Sequence, residues 1–318
     1  MRQQAALASG YHLYLPLHQL FFMSLATTQP ILITGGTGTL GQAFRRVCRI
    51  RGLHAVLLDR AALDIADAGA IARALQRHQP WAVVNAAGYV RVDDAEDDAD
   101  RCYRENTTGP DLLAAACAAQ GVQLLTFSSD LVFDGQKTTP YFESDAARPL
   151  SVYGHSKLLA EQAVLARLPT ALVVRTSAFF SAWDEHNFVH HALTAARRGA
   201  DFVAADDLFI TPTYVPDLVN GSLDLLLDRA RGLWHLTNEG TYSWVELARL
   251  ALRVAGLDEA CVVPRSAASL GWVARRPRYS ALGSEHGRLL PTVESGLHRH
   301  LADEQLLASA NPPAVLVG

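Results

Sequence analysis

Tyr153 and Lys157 stand four residues apart in Tyr153-Gly154-His155-Ser156-Lys157, a spacing that puts both side chains on one face of a helix. A free phenol has a pKa of about 10 and is a poor acid–base group at neutral pH, but a neighbouring ammonium favours the phenolate and lowers that value. The pair therefore reads as a proton donor and the cation that sets its acidity. Alone, the pattern is common on helix surfaces. It gains meaning from Ser128-Ser129-Asp130, where Ser129 can offer a hydroxyl to a carbonyl oxygen, and from a glycine turn much earlier in the chain. Ser128 and Ser129 also suit a plain turn before Asp130.

That turn, Thr34-Gly35-Gly36-Thr37-Gly38-Thr39-Leu40-Gly41, follows the apolar run Ile31-Leu32-Ile33 and precedes a helical pattern. In this context Gly35 permits a sharp exit from the strand, Gly38 lets backbone approach a pyrophosphate, and Gly41 allows close helix packing. Thr37, Thr39 and Leu40 line the same turn, and the amides that open the helix face phosphate charge. Asp59, at the end of a second strand, suits ribose hydroxyls and favours NADH. Arg60 beside it suits a 2′-phosphate and favours NADPH, so both cofactors stay open. Asp64-Ile65 flanks the adenine, or else Asp64 caps the next helix. Lys157 is also placed to hold the nicotinamide ribose, which brings it and Tyr153 against the cofactor. Together these residues point to hydride transfer.

Strands and helices alternate in a way that would position them. Strands are expected at Ile31–Thr34, Ala55–Asp59, Ala82–Asn85, Leu124–Ser128 and Leu172–Thr176; helices at Gln42–Arg51, Ala68–Arg77, Ala99–Gln120 and Lys157–Ala166. The fold class is α/β: a doubly wound parallel sheet of Rossmann type, with ligand at the carboxyl ends of the strands. Residues 30–176 form the expected dinucleotide-binding domain. After Thr176 the rhythm loosens, with helices at Val215–Leu227 and Ser243–Ala255. Residues 177–318 read as mainly a smaller substrate-binding region, some elements of which return to the main sheet. Residues 1–29 read as a flexible leader or a non-native start, with Met23 as the alternative initiator.

The 318 residues, 49% hydrophobic and 19% charged, are ordinary for a globular protein, and a net charge of −4 gives no reason to expect nucleic acid or an anionic membrane as partner. Cys48, Cys102, Cys117 and Cys261 are scattered, without metal-ligand spacing, and read as cytosolic thiols. No metal is expected: His190 and His191 are adjacent on a helix and point apart. Asp93-Asp94-Ala95-Glu96-Asp97-Asp98-Ala99-Asp100 reads as a solvated acidic loop with favourable charges at the start of the following helix. Trp183 and Trp244 suit either a sugar pocket or the core. Arg275-Arg276-Pro277-Arg278 is read as a phosphate contact in preference to a solvated turn.

The glycine turn, Asn85-Ala86-Ala87-Gly88-Tyr89, Ser128-Ser129-Asp130-Leu131-Val132-Phe133-Asp134-Gly135 and Tyr153-Gly154-His155-Ser156-Lys157 resemble the extended short-chain dehydrogenase/reductase superfamily. More narrowly they resemble its dTDP-4-dehydrorhamnose reductases. Arg175-Thr176-Ser177, Asn187-Phe188, Pro212-Thr213-Tyr214-Val215-Pro216-Asp217-Leu218, Trp234-His235-Leu236-Thr237 and Arg276-Pro277-Arg278-Tyr279-Ser280 extend the likeness across Ile31 to Leu301. The resemblance implies a cytoplasmic reductase passing hydride from NADPH or NADH to the C4 ketone of a nucleotide-linked deoxysugar, and it admits a homodimer. It implies catalytic roles for Ser129, Tyr153 and Lys157, a cofactor border at Ala87, Gly88 and Tyr89, and substrate contacts at Val92, Ser129, Asp130, Asn187 and Arg276. The chain departs from the family at Leu131, where tyrosine is common, at Val90, a frequent threonine, and at Gly283, where Ser280-Ala281-Leu282-Gly283 replaces Ser-x-Leu-Asp. A sugar-nucleotide epimerase or dehydratase shares the turn and the Tyr/Lys pair, though Leu131 stands where dehydratases carry glutamate. A non-catalytic dinucleotide-binding regulatory subunit is the other alternative.

Overall fold

The run Ile31-Leu32-Ile33-Thr34 is buried along its whole length because helices cover it on both sides. Ile31 and Ile33 point into one apolar layer and Leu32 into the other. The computed structural model describes residues 29–310, so all but the last residue of the expected leader, Met23 included, lies outside the described residues. This run is β1 (Ile31–Thr34). It is followed by β2 (Ala55–Leu58), β3 (Ala82–Asn85), β4 (Gln123–Ser129), β5 (Leu172–Thr176), β6 (Phe179–Phe180), β7 (Phe202–Ala205), β8 (Phe209–Ile210), β9 (Thr213–Tyr214), β10 (Gly232–His235), β11 (Tyr242–Ser243) and β12 (Val262–Arg265). Six of these pair in parallel in the order β2-β1-β3-β4-β5-β10.

The described α-helices are α1 (Thr39–Ile50), α2 (Ala68–His78), α3 (Ala99–Tyr103), α4 (Gly109–Gln120), α5 (Val152–Arg167), α6 (Phe188–Arg197), α7 (Val215–Leu227), α8 (Trp244–Val254) and α9 (Val293–Ala310). One face of the sheet is covered by α1 and α7 through Phe44, Val47, Leu218 and Val219. The other is covered by α2, α4 and α5 through Ile71, Leu75, Leu113 and Val164. β1 has β2 on one side and β3 on the other, so the chain reverses direction across the sheet there. In parallel sheets that switch point is where ligands bind. A buried polar ladder marks it: Thr34 Oγ1 donates to Asn85 Oδ1 at 2.7 Å, and Asn85 Nδ2 to Thr126 Oγ1 at 3.1 Å.

Two helices differ from expectation. The stretch from Ala99 to Gln120 is not one α-helix, because Arg104–Thr108 form a π-helical turn between α3 and α4. Pro110 has no N–H to donate to the carbonyl of Asn106, and the ladder widens just before it. α5 begins at Val152 rather than Lys157. Ser151 Oγ caps it by accepting from Gly154 N at 3.1 Å, and Glu96 accepts the Val152 amide at 2.8 Å. Tyr153 therefore lies on the helix itself, one turn before Lys157.

The later part of the chain builds a second apolar body from α6, α8 and α9, with Phe180, Leu193, Leu247 and Val293 inside it. α7 and β10 belong instead to the large sheet. Among the described residues no helix is long and apolar enough to cross a membrane, and no group of three His, Cys, Asp or Glu side chains is placed to hold a metal ion.

Candidate active site

Gly35 leaves β1 with φ at +66°, and a Cβ there would stand 2.6 Å from the Ala86 carbonyl oxygen, so the turn requires glycine twice over. Gly41 packs its Cα directly against the Gly35 carbonyl, which draws α1 onto the strand. Gly38 is the N-cap of α1, and no side chain caps that helix. Thr37 and Gly38 are exposed, and Thr39 is half-buried. An uncapped helix start in a glycine cradle is a ready-made anion site, and it fits the pyrophosphate of a dinucleotide. Asp184, on the loop before α6, now faces it: Thr39 Oγ1 donates to Asp184 Oδ2 at 2.9 Å. Trp183 beside it lies under the Arg46 guanidinium, 4.3 Å from the ring centre, and packs on the main core.

At the end of β2 the charged residues are held locally. Asp59 Oδ1 accepts the Ala62 amide, and Arg60 pairs with Glu105 at 2.5 Å. Asp64 accepts from Ala66 N and from Arg104 at 2.7 Å, and it does not cap α2; Asp67 does, accepting Ala70 N. Ile65 is buried against Gly109.

The loop after β3 carries Ala87, Gly88 and Tyr89 to the switch point. Asn106, buried inside the π-helical turn, fixes this loop from behind. Its Oδ1 accepts the Tyr89 amide at 2.8 Å, while its Nδ2 donates to the Tyr89 carbonyl at 3.1 Å and to Ser156 Oγ at 3.0 Å. A Cβ on Gly88 would lie 3.5 Å from Lys157 Nζ, so loop and lysine face each other directly. Sequence reasoning missed Asn106. Its signal was an amide side chain three residues before Gly109-Pro110, where a helix was bound to be disturbed.

Ser129 ends β4, and Tyr153 and Lys157 come from α5, which packs on that strand. Ser129 Oγ accepts the Leu131 amide at 3.1 Å and donates to Asp130 Oδ1 at 3.0 Å, so it shapes the turn as well as facing Tyr153. Lys157 Nζ donates to the Phe127 carbonyl at 3.3 Å and lies 5.7 Å from the centre of the Tyr153 ring. Burial brings the lysine down to about 8, partly opposed by Cys102 and Glu161. Burial also raises Tyr153, helped by the charges of Asp130 and Cys102 and opposed by its neighbour Ser129. The sequence led us to expect a phenol acidified by Lys157. Burial instead moves the phenol upward. A protonated phenol is the form that gives a proton away.

Asp130 is buried at the end of β4, where Ser280 Oγ donates to it at 2.5 Å. Burial raises its carboxyl against the hydrogen bonds it receives. Val92 is half-buried on the loop beyond Tyr89. Two of the expected substrate contacts have partners within the protein. Asn187 caps α6 through His190 N and donates to the Ser181 carbonyl, and Arg276 is paired with Asp93. Trp244 packs on Phe188, 4.7 Å between ring centres, in the second apolar body.

A parallel sheet with a glycine cradle at its switch point, and serine, tyrosine and lysine gathered beside it, defines an extended short-chain dehydrogenase/reductase. Comparison with known proteins narrows this: residues 29–303 match the model of the RmlD substrate binding domain, and the chain belongs to that family. The dTDP-4-dehydrorhamnose reductase of Streptomyces griseus is 37% identical over 257 residues, covering 79% of this chain and 84% of the relative. The crystal structure of a dTDP-4-dehydrorhamnose reductase from Clostridium acetobutylicum is 29% identical and superposes with a TM-score of 0.82, covering 87% of this chain and all of the other. That of Bacillus anthracis, in complex with NADP, is 28% identical with a TM-score of 0.82, covering 86% and 99%.

Proposed function

We propose that this protein is an NAD(P)H-dependent reductase of a nucleotide-diphosphate 4-keto-deoxysugar, in the manner of the dTDP-4-dehydrorhamnose reductases. The observation that carries the reading is the convergence of Ser129, Tyr153 and Lys157 beside the uncapped start of α1. The reduced nicotinamide, when bound, supplies the hydride that adds to C4. Ser129 donates to the carbonyl oxygen and steadies the charge that grows there, where a preplaced donor helps most. Tyr153 gives its proton to the same oxygen, and the product is the alcohol. Lys157, one helical turn on, stabilises the phenolate left behind until water reprotonates it. Leu131 stands where dehydratases carry an acid, so a reduction is favoured over an elimination. The free thiols, three of them buried, support a cytoplasmic setting. The test is loss of NADPH or NADH absorbance with a dTDP-linked 4-keto-6-deoxysugar; no turnover with any such nucleotide sugar would send the reading back to a binding subunit.

A further inference from the structure

The acidic run after Tyr89 does more than solvate a loop. Asp93 Oδ1 accepts the amides of Val273 and Ala274, each at 2.9 Å, and Arg276 Nη1 at 2.6 Å, while Oδ2 accepts Arg276 Nη2 at 2.8 Å. Arg276 also donates to the Ala274 carbonyl at 2.6 Å and lies over the Trp272 ring, 5.0 Å from its centre. One carboxylate thus gathers a turn from the far end of the chain and ties it to the loop leaving β3. The Arg276 guanidinium, chiefly, holds the Asp93 carboxyl below the usual carboxylate range.

From this clamp the chain runs to the other side of the site. Pro277 and Arg278 pass so close to Gly135 that no Cβ fits there. Phe209 N donates to the Arg278 carbonyl and Ser280 N to the Phe209 carbonyl, both at 2.9 Å, and Ser280 Oγ reaches Asp130. Residues 272–280 therefore form a strap from the loop after β3 to the loop after β4. Those two strands are neighbours in the sheet, and their carboxyl ends flank the catalytic group. Trp272 and Val273 on the strap, and Val90 on the facing loop, leave apolar surface exposed beside the clamp.

We propose that Asp93 is a positioning residue for the nucleotide sugar: by clamping Val273, Ala274 and Arg276 it holds residues 272–276 as a wall of the substrate mouth. This rests on the reductase reading above. The clamp acts on binding rather than on proton transfer, because the far end of the strap keeps its own anchors at Phe209 and Asp130. Losing Asp93 frees only the end that carries Trp272 and Val273.

The test compares Asp93→Ala and Arg276→Lys with the wild type, using dTDP binding by titration calorimetry and steady-state reduction of a dTDP-linked 4-keto-deoxysugar. Asp93→Ala is expected to weaken dTDP binding and raise the sugar KM by about tenfold, with kcat within about threefold and NADPH affinity unchanged. Arg276→Lys keeps the cation but not the fork and is expected to fall between. Amide exchange at Val273 and Ala274 should quicken in Asp93→Ala. Unchanged dTDP binding and KM in either folded variant overturns the proposal, as does a fall in kcat with KM unmoved. Should the wild type bind dTDP yet reduce no dTDP-sugar, the reductase reading fails, and the calorimetric comparison still decides for or against the clamp.

Discussion

Glu161 and Arg175 form a bidentate ion pair inside the protein: Arg175 Nε and Nη2 donate to the two carboxylate oxygens at 2.8 and 2.6 Å, with both side chains about 95% buried (exposures of 5% and 4%). Glu161 lies four residues beyond Lys157, so Tyr153, Lys157 and Glu161 share one face of α5. Arg175 sits near the end of β5 beside Ser128 in the register. Its guanidinium also covers the Phe133 ring at 4.9 Å and faces His235 Nε2 at 3.4 Å. His235 Nδ1 is 2.7 Å from the Gly283 carbonyl and must donate to it. Burial lowers His235 to about 4, so the ring stays neutral and turns its lone pair toward Arg175. α5 is thereby bolted to the sheet behind Lys157.

Removing one partner of this pair leaves a buried charge without compensation. Glu161→Ala is expected to destabilise the fold by about 3–5 kcal/mol, and Glu161→Gln by less. Urea unfolding followed by circular dichroism measures this directly; a loss below about 1 kcal/mol would show that the pair is not holding α5.

Lys157 gives the pH dependence its direction. In the proposed reaction this lysine acts in its protonated form, and burial has brought its value to about 8. The profile of kcat/KM, which reports the free enzyme, should therefore fall as pH rises through about 8. The linkage to stability has the opposite slope. The unfolded chain holds this proton more tightly, so the contribution of Lys157 to stability improves as pH rises from about 8 to the ordinary lysine range. Lys157→Arg should carry the descending limb of activity out of reach. A limb unmoved in that variant would assign it to another group.

Asp184 takes the hydroxyl of Thr39 in the first turn of α1, beside the glycine cradle. A carboxylate beside a helix start competes with an anion for the same amides. Asp184→Asn is expected to tighten NADPH binding about threefold, read by quenching of protein fluorescence, and to reduce the salt dependence of that binding. Weaker binding in the variant would mean that Asp184 helps the cofactor instead of opposing it.

The strands and the glycine turn were readable because their causes are local. A run such as Ile31-Leu32-Ile33 closed by glycines leaves few alternatives, and Gly35 marks its own conformation. The start of α5 was less legible: Gly154 weakens the helical signal, and one of its caps, Glu96, arrives from 56 positions away. Asp93 and Arg276 are each visible as charges, yet nothing local tells that they meet across 183 positions. Arg175 did leave a trace, since a charge closing the apolar run Leu172-Val173-Val174 demands a buried partner. Which residue supplied it, only the packing of α5 on β4 and β5 could say. Tyr153 shows the limit most plainly. Lys157 follows it by one helical turn, as the spacing implies, but the direction of the pKa shift depended on burial that no spacing reveals.

The most direct measurement is Tyr153→Phe, assayed for NADPH oxidation with a dTDP-linked 4-keto-6-deoxysugar alongside NADPH binding. Loss of the phenolic proton should lower kcat by about a hundredfold to ten-thousandfold and leave cofactor affinity within about twofold. A Tyr153→Phe protein that reduces the sugar at the wild-type rate would contradict the account.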